Sequence, residues 1–154
     1  MIQEITYHNH LLAIIIYHNF EAGLGIQFFT SDNFSQQLAY MHHPTGKIIL
    51  PHAHNPVKRE VQYTQEVLLI KKGRLRVDFY NEDQQYLESC ILGAGDVILL
   101  VAGGHGFDVL EEIEMIEVKQ GPYIGEHDKT QFVGITAGQA KITNVADKVN
   151  KSIH

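Results

Sequence analysis

The chain has 154 residues, 44% of them hydrophobic and 19% charged, which is the make-up and length of one ordinary globular domain. With 18 acidic against 12 basic residues, it has no basic stripe to displace counterions from phosphates, and this argues against nucleic acid as a partner. The longest apolar run, Leu11 to Ile16, is too short to span a bilayer, and the single cysteine, Cys90, rules out an internal disulfide.

Short apolar segments recur about every ten residues, the rhythm of an all-β domain. Strands are predicted at Ile2 to Tyr7, Leu11 to Tyr17, Gly25 to Thr30, Gln37 to His43 and Lys47 to Leu50. They continue with Val67 to Lys71, Arg74 to Tyr80, Glu88 to Leu92, Val97 to Val101, Phe107 to Leu110 and Ile113 to Val118. Leu75, Val77 and Phe79 alternate with Arg74, Arg76 and Asp78, as in a half-buried strand. Turn residues separate the segments: Lys72-Gly73, Asn81-Glu82-Asp83 and Gly93-Ala94-Gly95-Asp96 each read as a reversal. Ala137 to Val149 fits a short terminal helix or a strand. Many short strands without crossover helices point to a sandwich or barrel, of which the jelly roll is one, in a single domain over residues 1–154. The Met-Ile-Gln-Glu start lacks the basic and apolar regions of a signal peptide, so a cytoplasmic location without membrane partners is expected.

Ten histidines are many for this length. His8, His10, His18, His127 and His154 lie beside polar residues and read as exposed loop positions. His52 and His54 differ. In an extended segment, residues two apart point to the same side, so the two imidazoles would converge and could hold a metal. Glu66 leads an apolar strand, Val67-Leu68-Leu69-Ile70, where a carboxylate needs a partner: either a metal or a basic side chain. His105 follows the flexible Ala102-Gly103-Gly104 turn, as a ligand aimed into a barrel mouth or as a loop histidine. His42 and His43 are either supporting contacts to such a site or a plain strand end. Cys90 reads as a buried, inert thiol.

Gly46 to Gly73 resembles the first motif of the cupin family, G-x5-H-x-H-x3–4-E-x6-G. Gly46, His52, His54, Glu66 and Gly73 match, but the eleven residues Asn55 to Gln65 stand where the family has three or four. The second motif, G-x5-P-x-G-x2-H-x3-N, is matched by Gly95, Gly103 and His105. Val101 replaces the proline, Val109 the asparagine, and the histidine comes one residue early. The resemblance covers about Met41 to Val118. It implies a cupin-type jelly-roll β-barrel holding one divalent metal with His52, His54, Glu66 and His105, with Glu60 as the alternative carboxylate. Iron(II) is placed first, ahead of zinc, manganese or nickel.

Three His and one Glu leave positions open on a six-coordinate metal. A dioxygenase acting on a small organic substrate is placed slightly ahead of a sugar or keto-acid isomerase or epimerase. A non-enzymatic, metal-dependent small-ligand binding protein is the third reading. An isomerase needs a proton-moving side chain, for which Tyr63, Glu60 and Tyr123 are the candidates, with Lys58 and Lys119 as further base or anion contacts. Exposed edge strands, and the habit of small cupins, predict a homodimer.

Overall fold

The computed structural model describes residues 1–144. It is all-β. The strands are β1 (Ile2–Tyr7), β2 (His10–Ile16), β3 (Gly25–Phe28), β4 (Ala39–His42), β5 (Glu66–Tyr80), β6 (Tyr86–Gly93), β7 (Val97–Leu100) and β8 (Gly104–Lys119). The chain forms two compact units: Met1–Phe20 with the chain from Thr64 onward, and Glu21–Tyr63. Among the described residues no helix is long and apolar enough to cross a membrane.

The first unit is a strongly curled, half-barrel antiparallel sheet in the order β1-β2-β7-β5-β6, with β8 also paired to β5. One face carries the core: Ile5, Ala13, Ile15, Leu68, Ile70, Leu75, Val77, Phe79, Cys90, Leu92, Ile98 and Leu100 are buried together. Alternation decides which side chains enter, since neighbours along a strand point to opposite faces. The turns are built from local chemistry. His8 and Asn9 both take positive φ, 47° and 65°, the left-handed pair that matches the twist of a two-residue hairpin between β1 and β2. Asp96 closes the β6–β7 turn by accepting from Gly93 N at 2.7 Å, and it also accepts from His18 N at 2.8 Å.

The second unit holds the β3–β4 hairpin, with Gly25 opposite His42 and Phe28 opposite Ala39. Residues 43–63 contain no strand. The strand expected at Lys47 to Leu50 is therefore absent; Ile48, Ile49 and Leu50 are 75%, 59% and 76% exposed, with no neighbouring strand to supply hydrogen bonds or cover.

Two further expectations are corrected. Lys72-Gly73 does not reverse the chain: β5 runs through it for 15 residues, and β8 runs alongside for 16 where two strands were expected. The β5–β8 register shifts between Ile70 and Leu75, so the pair bends at a bulge. Gly73 takes φ 85° there, and a Cβ on it would collide with the Glu112 carbonyl. At the C-terminal end, Ala137–Gln139 is a 3-10 turn, and residues 141–143 pair with β6 through Ser89 N to Lys141 O and Thr143 N to Ser89 O. The rest of the span expected to be helix or strand, from 145 to Val149, lies outside the described residues, as does His154. His8, His10, His18 and His127 are exposed, as expected.

Candidate functional site

Glu66 opens β5 and His105 lies second in β8, within the strand rather than on a loop before it. On the ladder Glu66 faces Lys119, whereas His105 faces Phe79, thirteen residues further along β5. Straight strands would hold those rungs about 43 Å apart. The curl of the sheet instead brings Glu66 Oε2 and His105 Nε2 to 3.2 Å. The side chains are 16% and 29% exposed, so the pair is half-buried but reachable from solvent.

The hydrogen bond with His105 holds the Glu66 carboxyl below its ordinary pKa. Burial opposes that shift in part, and the positive charges of His105, Lys119 and Lys129 add to it. Glu66 is therefore an anion with a partner, which answers the need that its place in an apolar strand creates. Leu100, opposite Glu66, and Phe79, opposite His105, put apolar side chains beside both groups. The Phe107 ring lies 5.3 Å from that of His105.

Lys119 Nζ is 3.8 Å from Asp128 Oδ2 and 5.7 Å from the centre of the Tyr123 ring. Gln120, next in the chain, accepts from Gln65 N at 2.5 Å and ties the end of β8 to the residue before Glu66. The structure thus gathers Glu66, His105, Lys119 and Tyr123 at one end of the curled sheet. Tyr123 itself is 72% exposed and follows the cis Gly121-Pro122 bond.

The remaining candidates belong to the other unit. His52 and His54 are exposed, in coil rather than on a strand, with ring centres 5.4 Å apart and planes at 79°. Nδ1 of His52 lies 3.0 Å from Leu50 O. A carbonyl only accepts, so Nδ1 is the donor; in the neutral ring this leaves the lone pair of Nε2 free for a ligand. His42 is tied in the same way to Ala22 O at 3.1 Å. His43 Nε2 is buried without a hydrogen-bond partner, which sequence reading singled out only as a supporting contact or strand end. Glu60, Lys58 and Tyr63 lie in exposed coil.

Among the described residues no group of three or more His, Cys, Asp or Glu stands together as a metal site. The donors of the Glu66–His105 pair nonetheless suit one. A carboxylate oxygen and an imidazole nitrogen 3.2 Å apart have the spacing of adjacent ligands at about 2.1 Å from a shared ion. No family model matches the chain, and no curated protein or solved structure matches it.

Proposed function

We propose that this chain is a cupin-type jelly-roll barrel holding one divalent metal, and that it is an enzyme acting on a small organic substrate. The observation that carries the reading is the 3.2 Å contact between Glu66 and His105. These are the carboxylate of the first motif and the histidine of the second, brought together from strand positions that a flat sheet would hold far apart. In this reading they supply two ligands. His52 and His54 supply the other two on the strength of the motif resemblance. Iron(II) is the first choice of metal, and a homodimer the assembly.

A bound metal would polarise a substrate oxygen as a Lewis acid or, if iron, bind dioxygen. The chain's own residues do the rest. Glu66, an anion beside His105, would help to hold the positive centre; Leu100, Phe79 and Phe107 put apolar side chains beside the pair, and Lys119, the ladder partner of Glu66, adds a positive charge. Dioxygenation is favoured slightly over isomerisation because the side chains beside the pair are mostly apolar. The isomerase reading has one observation of its own: a His–Glu pair is also a working general base with its orienting carboxylate.

The test is cobalt(II) titration of the full chain, followed by the visible absorption of the bound ion. The native protein and Glu60→Ala should develop the same bands at one equivalent. Glu66→Ala and His105→Ala should not. Equal spectra in all four proteins would remove the Glu66–His105 pair from the site.

A further inference from the structure

We infer that the Glu66–His105 site takes a small carboxylic acid with an apolar, aromatic body, its carboxylate held by Lys119 and its body laid along Phe107 and Val109. This rests on the reading of Glu66–His105 as the reacting site and names the class of substrate.

Glu66 and Lys119 are direct partners on the β5–β8 ladder, so their side chains leave the same face with Cβ atoms about 5 Å apart. An ion pair between them would be the simple outcome. Instead, the Glu66 carboxylate turns to His105 at 3.2 Å, and the Lys119 ammonium stands 3.8 Å from Asp128. The Lys119 side chain is 29% exposed, and at 3.8 Å its link to Asp128 is loose for a charged hydrogen bond, which leaves room for an incoming anion. Lys129 adds a second positive charge whose field reaches Glu66.

Apolar side chains continue along β8 beyond His105. Phe107 and Val109 follow it at alternate positions of β8 and face Val77 and Leu75, both core residues. They belong to the core-bearing face, yet they are 41% and 54% exposed. Apolar side chains on that face are normally covered, and a substrate body is a cover that comes and goes. The sequence Lys119, Glu66, His105, Phe107 is therefore a cation, the reacting pair and an aromatic wall in order. An aromatic acid, with its charge at one end and its apolar ring at the other, matches that order. A lysine also suits this task, since it offers a point charge to the acid without requiring a two-pronged partner.

The experiment is isothermal titration of the full chain with benzoate, benzamide and acetate, with and without one equivalent of manganese(II), whose binding is measured in the same samples. Benzoate should bind at least tenfold more tightly than benzamide, which lacks the charge, and than acetate, which lacks the ring. Lys119→Gln should bring benzoate to the level of benzamide, and Lys119→Arg should restore most of the difference. Phe107→Ala should weaken benzoate and benzamide alike. Thermal unfolding of each variant confirms that it is folded. Equal binding of benzoate and benzamide, or benzoate binding untouched by Lys119→Gln, overturns the inference even where manganese binds. A Lys119-dependent preference for benzoate in a protein that takes no manganese supports the inference and defeats the metal reading instead.

Discussion

Glu66 Oε2 and His105 Nε2 are 3.2 Å apart, although thirteen residues of β5 separate their places on the ladder. A long strand pair makes such a contact only by bending back on itself. The register shifts between Ile70 and Leu75, and a bulge there bends the strand, so the site depends on backbone geometry as well as on its two side chains.

Gly73 is the test of that dependence. At φ 85° a non-glycine residue costs about 1–2 kcal/mol, and the added Cβ would also press on the Glu112 carbonyl. Gly73→Ala should lower stability by about 2 kcal/mol or more in urea unfolding. A change under about 0.5 kcal/mol would mean that the bend is set elsewhere.

Arg76 and Asp78 form a buried ion pair, with Nε to Oδ1 at 2.8 Å and Nη2 to Oδ2 at 3.0 Å. Ser89 Oγ donates to the same Asp78, and Asp108 reaches Arg76 from β8 at 2.9 Å. Asp78→Ala leaves the guanidinium with one outer partner and should cost about 3 kcal/mol. The double variant Arg76→Met, Asp78→Leu should recover most of that loss. Chemical denaturation of the three proteins measures both; a single variant as stable as the native chain would contradict the burial argument.

Burial pushes the Cys90 thiol well above its ordinary pKa, with the charges of Glu88, Asp96 and Asp78 adding to the rise. In the unfolded chain the thiol ionises near pH 8.5, whereas the folded protein keeps its proton. The contribution is thus fully present below about pH 8.5 and lost as pH rises, by about 1.4 kcal/mol per pH unit. Tyr17, also raised by burial but only half-buried, adds a smaller loss above about pH 10. Urea midpoints at pH 8, 9 and 10 should fall more steeply in the native chain than in Cys90→Val. Parallel slopes would show that the thiol ionises in place.

Strand alternation was legible where each strand could be judged alone. Leu75, Val77 and Phe79 face the core as their spacing indicates. Their neighbours Arg76 and Asp78 read as a solvent face but are 6% and 5% exposed. Distant residues, Ser89 on β6 and Asp108 on β8, complete that buried network, and no local pattern announces them. Lys72-Gly73 carried a correct conformational signal and a wrong topological one. Its glycine takes positive φ, but for a bulge inside a long strand rather than a reversal, because local sequence encodes a backbone angle and not the partner across the ladder. Ile48 to Leu50 has the composition of a strand and lacks the neighbour that would make it one. At the site, the need of Glu66 for a partner was readable from the apolar run behind it. That His105 meets it follows from the curl, which pairwise spacing does not contain. The place of Lys119 opposite Glu66 is likewise a property of register.

The most direct measurement is elemental analysis of the purified protein beside His52→Ala, Glu66→Ala and His105→Ala. About one divalent metal per chain in the native protein, iron foremost, and loss in all three variants is the expected result. A native protein that carries no metal and takes up none when supplied with iron, zinc, manganese or nickel would contradict the central claim. The Glu66–His105 contact would then be an ion pair that holds the curled sheet together.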